Sequence, residues 1–383
     1  MSSSAVDTSG DVPPATGAWR EGDPVGDRLF ASVGDLTLES GTVLPDVQVA
    51  YETWGTLDDA AANAVLVLHA LTGDSHVVGP TGPGHRSPGW WEGLVGPGRS
   101  IDTEQLFVVA PNILGGCQGT TGPASPALDG SPWGSRFPYL TVRDQVIVEG
   151  LLSDRLGIGR WAGVIGGSAG GMRALEWAVM WPERVEALFL LATSAATSAE
   201  QIALSSTQNA AILSDPAFQN GDYYDAGPGH GPHRGLDLAR RMAHISYRSE
   251  TEFAERFGRR PQGEEVVGVG GRFAVESYLQ HHGRKLAHRF DANSYIVLSD
   301  AMNSHDIGRD RGRVSDALDR VTARSVVVGI DSDRLYPLAQ QEEIAEHLPT
   351  CNYLDIVESQ HGHDGFLIEF KALDPIVRRL LGT

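Results

Sequence analysis

Short, continuously apolar runs recur along the chain and predict buried strands. Residues 64–68 form such a run between polar and glycine-containing segments, as is typical of a strand covered on both faces of a parallel sheet. Similar runs lie at residues 106–110, 161–165, 185–192, 325–330 and 352–357. Because helix-length segments separate several of them, we predict an α/β fold with a mostly parallel sheet and helices on both faces.

The hydrophobic pattern changes between residues 196 and 304. Apolar runs of strand length are missing there, whereas residues 199–213 and 236–247 show helical spacing. We therefore predict an inserted helical lid domain over residues 196–304, and a core domain over residues 26–195 and 305–383. Residues 1–25 are rich in Ser, Gly, Pro and Asp without periodicity, which predicts a flexible tail.

Composition and charge exclude several classes of binding partner and of protein. The chain carries 30 Lys and Arg against 49 Asp and Glu, a net charge of −19, which argues against binding to nucleic acid or to an anionic membrane surface. Its two cysteines, Cys117 and Cys351, form no C-x-x-C pair, so neither a disulfide scaffold nor a zinc module is expected. The first residues lack a signal-peptide pattern, and no apolar run approaches the roughly 18 residues of a membrane-spanning helix. A cytoplasmic protein is predicted.

The clearest chemical signal is a glycine-rich turn around Ser168. Residues 166–171 read Gly-Gly-Ser-Ala-Gly-Gly, which fits G-x-S-x-G, and they lie between a predicted strand at 161–165 and a predicted helix at 172–179. A strand, a sharp turn and a helix form a nucleophile elbow, in which the tight turn admits only small neighbours of the serine. The alternative is a glycine-rich turn whose serine has no chemical role.

A serine hydroxyl is a weak nucleophile at neutral pH and needs a base together with an acid that orients this base. Asp333 follows the predicted strand at 325–330, and His363 follows the next one, so the chain order is that of α/β-hydrolase triads. Asp331 and His361 compete for the two places. We prefer Asp333 because its spacing to Pro337 lets the loop turn into the next helix with the carboxylate aimed over the sheet, and we prefer His363 as the base.

Two backbone N–H groups are expected to stabilise the oxyanion of a tetrahedral intermediate. One belongs to Ala169, the residue after the nucleophile. The other comes from the loop that follows the third strand, here residues 69–73 after the run at 64–68, and we select Leu71.

Other candidates carry weaker signals. A metal site at His361, His363 and Asp364 would need distant ligands that the sequence does not reveal. Cys117 is interpreted as a small packing residue, and the glycines at 268–271 miss the spacing of nucleotide-binding loops. His281 and His282 are interpreted as surface residues. We therefore predict no metal and no bound cofactor.

Several runs, in order over roughly residues 30–380, together resemble the homoserine O-acetyltransferase family of the α/β-hydrolase superfamily. Such a set is far more specific than any single motif. The runs are 69–73 (HALTG), 89–91 (GWW), 112–123 (NILGGCQGTTGP), 166–177 (GGSAGGMRALEW), 242–249 (MAHISYRS), 303–306 (NSHD) and 362–367 (GHDGFL).

This resemblance implies a reaction and a set of roles. The reaction is acetyl transfer from acetyl-CoA, a co-substrate, to the hydroxyl of L-homoserine in methionine biosynthesis. The family's triad falls on Ser168, Asp333 and His363, its substrate-anchoring arginine on Arg240, and its substrate-binding aspartate on Asp364. The lid helices correspond to those that form the family's homodimer contact.

One departure from the family leaves the donor open. The family usually has methionine after the nucleophile, whereas this chain has Ala169. A smaller side chain therefore lines the acyl pocket, and the extra room makes succinyl-CoA an alternative donor. Serine is an alternative acceptor. An esterase or amidase with the same triad and water as acceptor is the rival from another class, and the lid-sized insertion favours transfer because it can exclude water. A non-enzymatic binding module would require the Ser, Asp, His order to be accidental.

Overall fold

The computed structural model describes residues 12–383, and a mostly parallel sheet of eight strands forms its centre. The strand order is β1-β2-β4-β3-β5-β6-β7-β8, in which β2 pairs antiparallel with β1 and β4 and all other pairs are parallel. The predicted sheet is thereby confirmed. The strands are β1 (Leu29–Thr37), β2 (Val43–Trp54), β3 (Ala64–Leu68), β4 (Phe107–Pro111), β5 (Gly163–Gly167), β6 (Ala187–Leu191), β7 (Arg324–Ile330) and β8 (Leu354–Val357).

All six apolar runs of the sequence become strands, β3 to β8, with ends shifted by a few residues. The reason is visible in β3, where Leu66 and Leu68 pack into the core on one face of the sheet and Val65 and Val67 into the core on the other. Burial on both faces demands a continuous apolar run. The edge strand β1 and its neighbour β2 were not predicted, because much of β1 is exposed or half-buried and its sequence alternates irregularly.

Helices cover both faces of the sheet. Residues of α1, α2 and α9 join one core and residues of α10 join the other. Within the described range, no helix combines the length and the apolar character that a membrane crossing requires. The helices are α1 (Val142–Arg155), α2 (Ala169–Met180), α3 (Ala199–Leu213), α4 (His233–Tyr247), α5 (Glu250–Arg256), α6 (Ala274–Ala287), α7 (Ala292–Asn303), α8 (Val314–Leu318), α9 (Leu338–His347) and α10 (Phe370–Leu381).

Five of these helices, α3 to α7, lie within residues 196–304, the region predicted as a helical lid. Their own core contains Ile212, Leu236 and Tyr295, and it includes Ile113 and Cys117 from the loop after β4. The lid therefore packs directly onto a loop at the carboxyl end of the sheet. Lid residues contact the loops that follow β3, β7 and β8, at the edge of the sheet where ligands bind in open α/β folds.

Residues 12–25 correct one prediction. Instead of forming a flexible tail, this segment runs along the lid: the Thr16 hydroxyl donates to Asp291 Oδ1 at 2.7 Å, and the Trp19 N–H donates to the Cys117 carbonyl at 2.9 Å. Ala15 and Ala18 are buried. Small side chains and backbone hydrogen bonds hold the segment, and neither leaves a periodic sequence pattern. The rest of the predicted tail, residues 1–11, lies outside the described residues.

Candidate active site

Ser168 lies in a strained turn between β5 and α2. Its backbone adopts φ 57° and ψ −126°, a region that costs a non-glycine residue about 1–3 kcal/mol and that clusters at functional sites. The flanking glycines are required because a side chain at either position would clash with the backbone. A Cβ on Gly166 would lie 2.1 Å from the Gly170 carbonyl oxygen, and one on Gly170 would lie 2.0 Å from the Leu68 carbonyl oxygen. The turn is therefore the elbow that the sequence predicted.

The structure brings Ser168, His363 and Asp333 into one hydrogen-bonded chain. His363 Nε2 lies 2.9 Å from Ser168 Oγ, and His363 Nδ1 lies 2.7 Å from Asp333 Oδ2. Because an ionised carboxylate only accepts hydrogen bonds, Nδ1 carries the proton and Nε2 accepts from the serine hydroxyl. Asp333 is fixed in turn, since its Oδ1 accepts from the N–H groups of Leu335 and Tyr336 at 2.8 and 2.9 Å. All three triad side chains are buried.

The competing acid and histidine have other contacts. Asp331 is exposed, and its Oδ1 accepts from the Ser359 N–H at 2.8 Å, so it joins the ends of β7 and β8. His361 Nδ1 lies 3.3 Å from Glu252 Oε2 on the lid. Neither contacts Ser168, and the structure thus places the preferred residues, Asp333 and His363, against the nucleophile.

The loop after β3 supplies the second proposed oxyanion donor. In the part of the chain that the structure describes, the N–H groups of Leu71 and Ala169 donate to no protein acceptor, as an oxyanion hole requires. His69 shapes this loop: its Nε2 accepts from the Ile113 N–H at 3.1 Å and its Nδ1 donates to the Ala70 carbonyl at 2.8 Å. Burial, assisted by the nearby Arg173, lowers the pKa of His69 to about 3, so this imidazole stays neutral.

Three arginines hold the same loop, and the sequence had pointed to only one of them. Arg173 on α2 donates to the His69 carbonyl at 2.5 Å, and Arg289, just after α6, donates to the Thr72 carbonyl at 2.8 Å. Arg240 on α4 donates to Thr72 Oγ1 at 3.2 Å. The core and the lid thus both fix the backbone around Leu71. Arg173 and Arg289 were missed because no local motif marks an arginine that donates to a distant carbonyl.

Arg240 and Asp364, the two substrate-binding candidates, both lie close to Tyr247, whose ring is 5.8 Å from the ring of the triad histidine. The Arg240 guanidinium lies 5.3 Å from the centre of the Tyr247 ring, and among residues 12–383 no carboxylate lies within salt-bridge distance of it. Asp364 pairs instead with Arg248, whose Nη2 lies 2.9 Å from Oδ2. Burial raises the pKa of Asp364, while Arg248 and Arg240 oppose that rise. Arg248 was missed, although it lies within the quoted run at 242–249.

A small cavity of about 50 Å³ adjoins the triad. Two of its lining residues contact His363: the Tyr336 ring stacks on the imidazole with centroids 5.0 Å apart, and the Tyr247 ring lies 5.8 Å away. Leu71 also lines it, and its other residues are neutral side chains of α3, α4, α7 and adjacent loops. Burial raises the pKa of Tyr336, so this phenol stays protonated. The residues that line the cavity are therefore all uncharged.

Two further candidates are set aside. Cys117 is buried, and burial raises the pKa of its thiol, which keeps it unreactive.

Among the described residues, the ligand-type side chains that converge are Asp27, Glu52, His76 and His85, away from His361 and His363. The rings of His76 and His85 are stacked, with centroids 3.8 Å apart and only 12° between their planes. The lone pairs of their nitrogen atoms therefore lie in two nearly parallel planes. A metal ion lies in the plane of an imidazole that binds it, and two stacked rings cannot share one ion. The pair instead encloses the buried Glu52, which accepts from Ser75 Oγ at 2.6 Å.

A buried serine, histidine and aspartate beside two free N–H groups can attack an ester or thioester carbonyl. Comparisons with known proteins agree with this chemistry. Residues 63–370 match the family model described as alpha/beta hydrolase fold. The chain is 61% identical to a homoserine O-acetyltransferase of Thermobifida fusca, over 96% of this chain and 97% of that protein.

The solved structures that resemble this chain include both transferases and esterases. The crystal structure of a homoserine O-acetyltransferase from Bacillus anthracis matches with a TM-score of 0.85 at 27% identity, over 93% of this chain and 97% of that one. Esterase E22 matches with a TM-score of 0.83 at 25% identity, over 92% and 99%. The fold and the triad are thus compatible with either acceptor, an alcohol or water.

Proposed function

Because the chain belongs to the homoserine O-acetyltransferase family of the α/β-hydrolases, we propose that it transfers the acetyl group of acetyl-CoA to the hydroxyl of L-homoserine, the step that activates homoserine for methionine synthesis. One observation carries most weight. The Arg240 cation, without a carboxylate partner among the described residues, and the Asp364 anion both lie close to Tyr247, whose ring is 5.8 Å from that of His363. Opposite charges close to the base suit an amino-acid zwitterion, and a hydrolase that uses water needs neither.

In the first half-reaction, Ser168 Oγ attacks the thioester carbonyl while His363 Nε2 takes its proton. Their separation of 2.9 Å allows this transfer directly. The negative charge that develops on the carbonyl oxygen is stabilised by the N–H groups of Leu71 and Ala169. The intermediate then collapses, His363 returns the proton to the departing CoA sulfur, and acetyl-Ser168 remains.

In the second half-reaction, homoserine enters and its hydroxyl attacks the acetyl-serine. Arg240 binds the substrate carboxylate, and Asp364 binds the ammonium alongside Arg248. These two contacts direct the hydroxyl toward His363, which removes its proton and then returns one to Ser168. CoA leaves before homoserine reacts, so the scheme is ping-pong.

The acceptor distinguishes this function from that of an esterase. With acetyl-CoA alone, we expect slow thiol release, because the lid covers the triad and excludes water; homoserine should accelerate release by about two orders of magnitude. Arg240→Gln should abolish most of this acceleration yet still form acetyl-enzyme, because Arg173 and Arg289 continue to hold the carbonyls of His69 and Thr72. The neighbouring Arg241→Gln should behave as wild type. Fast release without homoserine would identify a hydrolase.

Acetyl-CoA is proposed as the donor in spite of Ala169. The cavity beside the triad holds about 50 Å³, and no charged residue lines it, so a succinyl carboxylate would be buried without a partner. We expect kcat/KM for succinyl-CoA to be about tenfold or more below that for acetyl-CoA. Ala169→Met, which introduces the family's usual residue, should keep this order. A higher kcat/KM for succinyl-CoA in the wild type would contradict the proposed donor.

A homodimer through the lid helices remains a prediction. Leu238 and Ile245, seven positions apart on α4, are 44% and 49% exposed, and they lie on one face of the helix. These side chains are the ones that a second copy would bury.

A further inference from the structure

A basin on the outer side of the lid has the size of a ligand site. It holds about 670 Å³ and lies between α5, α6 and the loop that joins them, and ligand sites typically hold about 300–1,000 Å³. Arg256 and Arg260 line one side, and Tyr278, His281 and His282 line the other. A second hollow of about 300 Å³ adjoins it and shares His281.

Cations concentrate here although the whole chain has a net charge of −19. Arg256 and Arg260 line the basin, and Arg272, Arg284 and Lys285 line the adjoining hollow. Arg256 pairs with Glu252 at 3.3 Å. For the other four, no carboxylate of residues 12–383 lies within salt-bridge distance. Such a group attracts a polyanion, and guanidinium groups bind phosphate through paired hydrogen bonds.

A row of ring contacts connects the wall of the basin to the triad histidine. The Tyr278 hydroxyl, at the basin wall, lies 3.3 Å from His244 Nδ1. His244 in turn lies 5.6 Å from the Tyr247 ring, which lies 5.8 Å from the ring of His363. The far end of this row is therefore the general base of the proposed reaction.

His244 has an unused hydrogen-bonding atom. Its ring is 2% exposed, and its Nε2 has no partner among the described residues. Burial, with Arg240 nearby, lowers the pKa of His244, so the imidazole is neutral. With the Tyr278 hydroxyl donating to Nδ1, Nε2 carries the hydrogen and can donate to an amide oxygen. A buried donor of this kind normally has a hydrogen-bond partner, which can be a water molecule.

From the size of the basin, its concentration of cations and the ring contacts that connect its wall to His363, we infer that this surface binds the adenosine 3′,5′-diphosphate end of acetyl-CoA. The inference rests on the proposed function, which supplies the donor. The phosphates of CoA are opposite in charge to these cations, and guanidinium groups pair with phosphate oxygens. The basin thus fixes the end of the donor that takes no part in the chemistry.

The test compares two donors, acetyl-CoA and acetyl-pantetheine, which lacks the nucleotide. The double variant Arg260→Gln/Arg284→Gln should raise KM for acetyl-CoA about tenfold or more, the loss expected for a charge-assisted contact to phosphate. It should leave kcat/KM for acetyl-pantetheine within about twofold. Arg313→Gln, which removes a cation that is 82% exposed and pairs with Asp316, is the matched control and should change neither. In the wild type, added salt should raise KM for acetyl-CoA more than KM for acetyl-pantetheine.

A binding measurement separates this inference from the proposed function. Adenosine 3′,5′-bisphosphate should bind Ser168→Ala in calorimetry, and the two basin substitutions added to that variant should weaken binding about tenfold. If wild-type protein reacts with neither thioester, the proposed function fails, while this measurement still decides the basin. No binding of the nucleotide, an unchanged KM for acetyl-CoA, or equal losses for both donors would overturn the inference. A change only in sedimentation would overturn it as well and would indicate an interface between copies.

Discussion

Ser168→Ala is expected to reduce acetyl transfer by several orders of magnitude, about 10⁵-fold or more, while the protein stays folded. The serine supplies the only atom that becomes acetylated, and its Oγ is the hydrogen-bond partner of His363 Nε2 at 2.9 Å. Triad residues act as a unit, so removal of one leaves the others without effect. Thiol release with acetyl-CoA and homoserine measures the rate, and intact mass measures loss of the acetyl-enzyme.

A matched serine makes this result specific. Ser194 is also buried, and its hydroxyl has no partner among the described residues. Ser194→Ala should therefore keep activity within about twofold. Retention of more than about a tenth of wild-type turnover in Ser168→Ala would mean that another group is the nucleophile.

Asp333→Asn should slow both half-reactions, by about 10⁴-fold, the effect seen when the triad acid becomes an amide. Asn can still accept at one oxygen from the N–H groups of Leu335 and Tyr336, which hold Asp333 Oδ1, so the loop should keep its shape. The amide nitrogen would then face His363 Nδ1 and favour the wrong tautomer. Single-turnover acetylation of Ser168 by labelled acetyl-CoA, without homoserine, measures this loss directly.

Asp364→Asn is the counterpart that separates the two aspartates. If Asp364 binds the homoserine ammonium, this variant should acetylate Ser168 at nearly the wild-type rate and show a homoserine KM raised about tenfold or more. Arg248 loses an ion pair at 2.9 Å in this variant, so a melting curve must accompany the kinetics. If Asp364→Asn blocked acetylation and Asp333→Asn did not, the roles of both residues would be wrongly assigned.

Local sequence determined the parts of this protein whose physical cause is local. A strand buried on both faces must be apolar throughout, so the runs at residues 64–68 and 325–330 could be recognised without any tertiary information. The elbow around Ser168 was equally readable, because its small neighbours follow from contacts as short as 2.1 Å within one turn. Since active-site residues in this fold follow strand ends, the chain order of Asp333 and His363 could be predicted as well.

Contacts between distant segments decided the rest. Residues 12–25 pack on the lid through partners such as Asp291, 275 positions from Thr16, and the loop at residues 69–73 is held by Arg289, 217 positions from Thr72. Arg248 pairs with Asp364 only because the lid folds over the end of the sheet. A guanidinium reaches acceptors in many directions, so its partner depends on which backbone the fold brings near, and no pattern of neighbouring residues records that choice. The sequence by itself therefore determined strands β3 to β8 and the elbow, whereas tertiary packing decided how the lid supports the site.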